Sequence, residues 1–459
     1  MKAVICGAGQ VGYTIASYLS RENNSITIVD SNPELVAVAS DTLDVNGVVG
    51  HASHPHTLEK AGIRDADMII AVTASDEINM VACQVAHSLF NVPKKIARIR
   101  HQSYRDPAWA NLFSRYNMPI DVIISPELEV ANAITNRLIV PGTTNDVPMA
   151  DGRLHLIGLV CEENCPLLNT AMRQYGLLFP DLSFSVLAIF RGPDHIAPNM
   201  DVQLEEGDEV YLLVERKQLT RVLAAFGHHE QVAKNIVIMG GGNVGLCLAH
   251  HIMDHIPGVQ LKLVESNAAR AQYLSEALPN VLIINGDGVT ADMMEEANIS
   301  QTDTFIAVTQ NDEENILGSL LAKQSGCKRT IALINKDIYA GLVIDYGIDA
   351  IVNPRSITVS NVLQHVRRGR IKAVHSIRDG AAEVIEAQAS ETCGIVNQCL
   401  RDMTEEKGII AGAIVRKNGE IIIPKSDTKV ETDDRVILLA PQRKAGNVEK
   451  LFSFSVDLF

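Results

Sequence analysis

The chain of 459 residues carries a formal net charge of −15, with 46% hydrophobic, 21% charged and 4% aromatic residues. A chain of this length is too long to fold around a single hydrophobic core, so we expect two to four domains. The composition is that of an ordinary folded protein. The acidic balance and the few aromatic residues argue against a nucleic-acid partner. The lack of an export signal, and of an apolar run near the roughly 20 residues that span a bilayer, predicts a cytoplasmic protein.

The first predicted elements are a strand, a glycine-rich turn and a helix, in "MKAVICGAGQVGYTIASYLS". A GxGxxG pattern alone is weak evidence, but here an acidic residue also ends the second predicted strand. The glycines permit a tight turn, a close approach to pyrophosphate and close packing of the helix. We assign a ribose 2′-hydroxyl to Asp30, which favours NAD(H) or an adenosine nucleotide over NADP(H). The residues assigned to the phosphates are Gly7, Gly9, Gln10, Val11 and Gly12.

A second ligand contact is predicted after the third strand, in "GHASHPHTLEKAGI", where His51 can donate or accept a hydrogen bond. Together with His54 and His56 it also suggests a metal site. No carboxylate or thiolate at a convincing spacing completes a coordination set, however. We therefore favour a polar loop without a metal.

The next strand leads into "AVTASDEINMVACQVA". Thr73 and Ala74 follow this strand at the carboxyl edge of the sheet, where open α/β folds bind their ligands. Asp76, Glu77 and Asn79 begin the following helix. Two interpretations stay open for the acids, which are contact with a ligand or capping of the positive end of the helix dipole.

Arg98 and Arg100 come at the end of the sequence "KKIARIRH", on the same edge of the sheet. Two contacts stay open for them, with a phosphate or with a neighbouring subunit. The apolar runs "AVIC", "SITIVD", "MIIAVT" and "IARI" are separated by enough chain for crossover helices. Continuous Val and Ile runs are typical of strands buried on both faces, so they predict a parallel sheet.

A smaller unit follows, in which "VLAIFRGPDHIAPNMDVQLEEGDEVYLLVE" alternates short β-like runs with turn residues. Asp208, and Asp433 in a later copy of this pattern, occupy what look like matched turns before the last strand. The stretch "RKQLTRVLAAFGHHEQVAK" predicts a helical connector to the next half.

The whole plan then repeats. "KNIVIMGGGNVGLCLAHHI" restates the opening at a shift of 233 residues, and "TDTFIAVTQNDEENILGSLLA" restates the later motif at a shift of 236. The second half places Leu333 and Asn335 where the first has its two arginines, and Asp287 in place of His51, so we predict unequal sites. The residues assigned to the second site are Gly240, Gly242, Asn243, Val244, Gly245, Glu265, Asp287 and Thr309.

The fold class predicted from this plan is α/β, with two Rossmann-like doubly wound parallel sheets, each followed by a small α+β domain. The predicted domains are 1–140, 141–231, 232–370 and 371–459.

The groups that an oxidoreductase needs are not evident. Such an enzyme requires a general acid or base and a substrate pocket beside the nicotinamide. The segments after the two Rossmann units are acidic and place no His/Lys or His/Asp pair for that task. We therefore assign no catalytic residue. The eight cysteines include no CxxC pair, which favours free thiols over a metal or redox site.

The order GAGQVG, Asp30, GHASHP, AVTASDEINMVACQVA, KKIARIR and a β-rich module, followed by the whole plan again, closely resembles the peripheral TrkA-type subunits of Trk potassium-uptake systems. The resemblance covers essentially the full chain. It implies that each half is an RCK (KTN) nucleotide-binding domain followed by a TrkA-C domain. It also implies a non-enzymatic cytoplasmic regulator that binds NAD(H) and ATP or ADP. Such a regulator forms a homo-oligomeric, tetrameric ring at the inner membrane, beneath a TrkH-type potassium transporter.

Two other functions are compatible with parts of this sequence. An NAD-dependent oxidoreductase with duplicated cofactor domains is the main alternative, but the small β-rich modules favour a regulator. A transcriptional redox sensor ranks last because no basic helix-turn-helix segment is visible. Two roles stay open for the basic run with Arg367, Arg368 and Arg370. These side chains could contact lipid or the transporter, or they could stabilise the C-terminus of a helix.

Overall fold

A computed structural model describes the chain except for residues 22–23, 337, 340–342, 344–345, 367–370, 400–407, 426, 442–443 and 453–459. The chain forms two compact units, Met1–Glu129 with Pro354–Arg367, and Val130–Asn353 with Arg368–Phe459. Among the described residues, no helix combines the length and the apolar character needed to cross a membrane. The basic run at 367–370 lies outside the described residues.

The first unit is built on six parallel strands. They are β1 (Lys2–Cys6), β2 (Ser25–Asp30), β3 (Asn46–Val49), β4 (Met68–Ala71), β5 (Lys94–Arg98) and β6 (Val122–Ile124). Their order is β3-β2-β1-β4-β5-β6, and two separate apolar clusters cover the two faces. The order reverses between β1 and β4, which creates the crevice where open α/β sheets bind ligands.

The helices of this first half alternate with its strands. They are α1 (Gln10–Arg21), α2 (Pro33–Thr42), α3 (Pro55–Lys60), α4 (Asp76–Phe90) and α5 (Pro126–Ile139). The boundary between the two compact units falls within α5.

One further helix of the first unit comes from the second half of the sequence. This returning helix, Pro354–Val366, begins with proline, whose fixed φ suits the first helical turn. Val359, Val362, Leu363 and Val366 recur at helical spacing and are buried in the apolar cluster that also contains side chains of β1 and α1. The hydrophobic core of the first unit therefore includes residues from both halves of the sequence.

The second unit begins with a five-stranded antiparallel sheet. Its strands are β7 (Asn145–Met149), β8 (Leu154–Val160), β9 (Phe184–Arg191), β10 (Asp194–Ile196) and β11 (Glu209–Glu215), in the order β10-β9-β11-β8-β7. Two short helices accompany it, α6 (Tyr175–Leu178) and α7 (Leu219–Ala225). The predicted helical connector is thus only partly helical. It turns away after Phe226, because Gly227 adopts a φ of 91°.

A second six-stranded parallel sheet follows in the same unit. Its strands are β12 (Asn235–Met239), β13 (Gln260–Glu265), β14 (Leu282–Asn285), β15 (Thr304–Ala307), β16 (Arg329–Leu333) and β17 (Ala350–Val352). Their order, β14-β13-β12-β15-β16-β17, repeats that of the first sheet. The helices are α8 (Asn243–His255), α9 (Ala268–Ala277), α10 (Ala291–Glu296) and α11 (Asp312–Gln324).

The chain then forms a second antiparallel sheet. Its strands are β18 (Ile371–Ile377), β19 (Ala382–Gln388), β20 (Ile410–Val415), β21 (Ile421–Ile422) and β22 (Arg435–Pro441), in the order β18-β19-β22-β20-β21. Helix α12 (Ala445–Phe452) packs against it. The predicted fold class, two doubly wound parallel sheets each followed by a small module, is confirmed.

The two antiparallel sheets share one apolar cluster. Gly412 on β20 lies where a Cβ would come within 2.4 Å of Leu213 Cδ1 and 2.7 Å of Leu187 Cδ2, so these leucines occupy the space above the glycine. Glu386, which is 4% exposed, accepts a hydrogen bond from the Ala150 N–H at 2.9 Å. Apolar contact and a buried hydrogen bond therefore join the two modules.

The acidic turns of these modules are matched, but not in the predicted register. Asp208 is fully buried and pairs with Arg191 at 2.8 Å, and it accepts the Glu205 N–H. In the second module the same contacts are made by Asp434, with Arg416, rather than by Asp433. Two acids stand side by side in the sequence "TDDR", so the sequence alone does not distinguish which of them faces the arginine.

Candidate nucleotide-binding sites

The first glycine turn leaves room for a ligand to approach the backbone. Gly7 follows β1 with a φ of 109°, a conformation that favours glycine, and its N–H donates to the Val29 carbonyl at 2.7 Å. A Cβ at Gly12 would lie 1.8 Å from the Gly7 carbonyl oxygen, so α1 can pack this closely only with glycine there. A Cβ at Gly9 would meet nothing within 4 Å, which leaves that side of the turn open.

Asp30 ends β2 and braces the turn. Its Oδ2 accepts a hydrogen bond from the Ala8 N–H at 2.7 Å, and its Oδ1 accepts one from the Asn32 N–H at 2.9 Å. A carboxylate oxygen has two lone pairs, so each can still accept a ribose hydroxyl. Asp30 therefore shapes the turn as well as standing where a ribose is predicted, and replacing it changes both.

Thr73 lies against this turn, because a Cβ at Gly7 would be 3.1 Å from the Thr73 nitrogen. The Thr73 N–H and hydroxyl both donate to Asn79 Oδ1, at 2.9 and 2.7 Å. Asn79 is fully buried and donates from Nδ2 to the Arg98 carbonyl at 2.9 Å. Asn79 thus fixes the ends of β4 and β5 relative to each other.

Asp76 and Glu77 lie in the first turn of α4, at the positive end of the helix dipole. Ser75 is the N-cap, and its hydroxyl accepts the Ile78 N–H. Asp76 is 7% exposed and accepts the N–H groups of Arg100 and His101 at 3.0 and 2.8 Å. Asp76 therefore orders the loop after β5, a role that neither of the two interpretations of the sequence included.

Arg98 ends β5 and Arg100 follows it, and both lie at a partly buried corner where Arg100 also pairs with Asp76 at 3.8 Å. Arg100 donates to the Ala74 carbonyl. Burial lowers the pKa of Arg98 while the Glu127 carboxylate opposes that change, and burial raises the pKa of Glu127. Among the described residues, Arg98 Nε, Glu127 Oε2 and Asp76 Oδ1 are buried without a hydrogen-bond partner. A polar ligand group at this corner would supply the missing hydrogen bonds.

The returning helix brings to this site a residue that no motif in the sequence indicates. Arg355 Nη2 donates to Gln10 Oε1 at 2.7 Å. Gln10 is the first residue of α1, at the helix end where phosphates are predicted. The two residues are 345 positions apart, so no local motif could have signalled the contact.

The second glycine turn repeats the first. Gly240 has a φ of 108°, and a Cβ at Gly245 would lie 1.9 Å from its carbonyl oxygen. Gly242 again faces open space. Glu265 Oε2 accepts a hydrogen bond from the Gly241 N–H at 2.8 Å, just as Asp30 accepts one from the Ala8 N–H in the first half.

The carboxyl edge of the second sheet also repeats the first, with different side chains. Asn315 accepts the Thr309 N–H at 2.8 Å and donates to the Leu333 carbonyl at 2.8 Å. Asp312 accepts the Asn335 N–H at 3.0 Å. The backbone brace is therefore kept where the two arginines of the first half are replaced.

The loops after the third strands differ most. Asp287 Oδ1 accepts the N–H of Val289 in its own loop at 3.1 Å. His51 Nδ1 lies 2.7 Å from Ser53 Oγ, and the His51 and His54 rings are 4.8 Å apart. In the part of the chain that the structure describes, no three His, Cys, Asp or Glu side chains group as metal ligands. The assignment of both loops to a ligand stays a prediction.

All eight cysteines are free thiols in the structure. Cys6, next to the first turn, is fully buried, and burial together with the charge of Asp30 raises its pKa to about 12. It is therefore a neutral, packed thiol at physiological pH.

Known protein families cover most of the chain. The TrkA-N domain matches residues 3–126 and 236–354, and the TrkA-C domain matches residues 384–453. The "Trk system potassium uptake protein TrkA" of Azorhizobium caulinodans is 49% identical over 459 residues, covering 100% of both chains. The protein of the same name from Halomonas elongata is 39% identical over 463 residues, again covering 100% of both.

Solved structures show the same fold. The structure described as the GsuK RCK domain has a TM-score of 0.59 and covers 98% of this chain and 94% of that one. The one described as the GsuK channel bound to NAD has a TM-score of 0.60 and covers 98% and 78%. At 18% identity, both show likeness of fold.

Proposed function

Because the chain belongs to the family of Trk system potassium uptake proteins TrkA, we propose that it is a nucleotide-binding regulatory subunit of a potassium-uptake system and catalyses no reaction itself. The observation that carries the proposal is the pair of glycine turns in one chain. In each turn the third glycine lets the helix pack against the backbone, and an acid accepts a hydrogen bond from a backbone N–H of the turn. The space beside the second glycine of each turn is free of protein atoms. Two such turns followed by small β-rich modules suit a sensor better than an enzyme.

The proposed mechanism is a shift between conformations. A ligand changes an equilibrium only by its different affinities for the two states. In the first unit, the turn, the end of β5 and the returning helix all contribute polar groups to one edge of the sheet. A nucleotide that contacts all three favours the arrangement in which they converge.

The proposed ligands are NAD(H), and ATP or ADP. NAD(H) is supported by the acid that ends the second strand of each sheet. A protein of similar fold is also described as bound to NAD. ATP and ADP are supported by the cations at the first site, Arg98, Arg100 and Arg355.

The proposed partner is a TrkH-type potassium transporter of the inner membrane. The chain would assemble as a tetrameric ring on the cytoplasmic face and reach the membrane through that partner. Family membership is the support for this assembly.

The competing function is an NAD-dependent oxidoreductase with duplicated cofactor domains. The fixed roles of Asp76, Asn79 and Asp30 in bracing loops disfavour it, since these groups already hold the backbone. Catalytic oxidation of NADH with any of a panel of substrates would replace our proposal with this one.

The test is calorimetry with NADH, ATP and ADP on the full-length chain. Gly9→Ala and Gly242→Ala add a methyl group to open space, so each should weaken binding at its own site and leave folding unchanged. Gly176→Ala, also into open space but in α6, is the matched control and should bind like the parent chain. Unchanged binding in both turn variants would remove the sites from the proposal.

A further inference from the structure

The two sites differ on the helix that follows their bracing acids. Asn32 and Asn267 cap α2 and α9 at equivalent positions, which aligns the two helices residue by residue. Arg270 and Tyr273 on α9 then correspond to Leu35 and Val38 on α2.

Arg270 is held beside the second glycine turn. Its Nε donates to the Gly241 carbonyl oxygen at 2.8 Å, while the N–H of the same residue is held by Glu265. Its Cζ lies 4.8 Å from the centre of the Tyr273 ring. The guanidinium is therefore held over the tyrosine ring and next to the acid to which a ribose is assigned.

The guanidinium of Arg270 still has an unused hydrogen-bond donor. Nη2 is buried and has no hydrogen-bond partner among the described residues. A buried donor without a partner costs free energy, which a bound acceptor would recover.

The first site presents an apolar surface at the same place. Leu35 is 38% exposed and Val38 is 54% exposed, although both carry hydrophobic side chains. The acid brace is nevertheless the same, since Asp30 holds Ala8 as Glu265 holds Gly241. The two sites therefore share the hydrogen bond from the acid to the turn and differ in the side chains that follow on the helix.

We propose that Arg270 is the base-binding residue of the second site, where the adenine ring of a nucleotide stacks on the guanidinium and Nη2 donates to the bound nucleotide. Planar guanidinium groups stack on bases, and the attraction grows with the size of the base. The Glu265 carboxylate disfavours a 2′-phosphate, so the ligand class is an adenine nucleotide with a free 2′-hydroxyl. This inference rests on the proposed function.

The experiment compares ADP with UDP on the full-length chain carrying Gly9→Ala, so that the second site is read alone. A stacking residue favours the larger base, whereas a residue that merely braces the turn affects both nucleotides alike. Arg270→Leu, which copies the first site, should weaken ADP binding about tenfold and UDP binding far less. Arg270→Lys keeps the positive charge but removes the planar guanidinium group, and it should also lower the preference for ADP over UDP.

Two further measurements keep the test decisive. Tyr273→Val leaves Arg270 in place but removes the ring beneath it, and should lower the ADP preference by a smaller factor. Thermal unfolding of each variant shows whether the turn still folds. Equal losses for ADP and UDP, or no loss, would overturn the inference while leaving the proposed function intact. If the parent chain bound no nucleotide, the proposed function would fail and the inference with it.

Discussion

Leu363→Ala in the returning helix should destabilise the first unit, although Leu363 belongs to the second half of the sequence. Leu363 is 3% exposed and lies in the same apolar cluster as Ile5 and Ile15. Truncating such a leucine costs roughly 2–5 kcal/mol, because burial is lost and a cavity is left. Since about 1.4 kcal/mol corresponds to a factor of ten, the protection of β1 amides against hydrogen exchange should fall by roughly 30-fold or more.

The assay is hydrogen exchange read by mass spectrometry on the full chain without ligand, comparing peptides of β1 with those of β12. Leu89→Ala on α4 is the control, because Leu89 is 55% exposed and its truncation should change β1 protection by less than about threefold. The packing argument is refuted if Leu363→Ala leaves β1 protected as before, or if it weakens β12 as much as β1.

Three more predictions concern the first glycine turn, the predicted helical connector and the returning helix. Gly12→Ala should abolish nucleotide binding at the first site and lower the unfolding temperature, because the new Cβ would lie 1.8 Å from a carbonyl oxygen; a variant that unfolds and binds like the parent would contradict this. Burial disfavours the charged form of His228, but the hydrogen bond and charge of Glu230 outweigh it and raise its pKa. The stabilisation from this pair is complete below pH 6.5, the ordinary pKa of histidine, and is lost as the pH rises through the raised pKa of the folded protein. In His228→Gln the unfolding temperature should therefore depend less on pH between these two values. An unchanged pH dependence would show that other groups cause it. Arg355→Ala should weaken ATP binding at the first site about tenfold without lowering the unfolding temperature, and equal ATP affinity would exclude a phosphate contact.

The fold was largely predictable because its strongest signals are local and occur twice. Buried apolar strands, glycine turns and acids at strand ends lie within short windows, and each copy supports the interpretation of the other. β3 was predicted only as the strand before "GHASHP", without a range, and β6 was not predicted. β3 (Asn46–Val49) is mostly exposed and has no apolar run, and β6 (Val122–Ile124) has only three residues.

The candidate sites were predictable to the extent that their groups follow one another in sequence. Asp30 and Glu265 were identified from spacing, but their role as braces of the turn depends on backbone N–H groups that sequence does not place. Arg355 reaches the first turn because a helix from the second half packs there. Arg270 could have been found by comparing the two halves position by position, since leucine stands in its place in the first.

Leu187 and Gly412 occupy corresponding positions in the two antiparallel modules, four residues before the matched arginines. At their contact a large side chain of one module fills the space left by the missing side chain of the other. Two copies of the first module would bring leucine against leucine, and two copies of the second would leave a void. The shapes at this contact therefore favour pairing of the first module with the second over pairing of two identical modules.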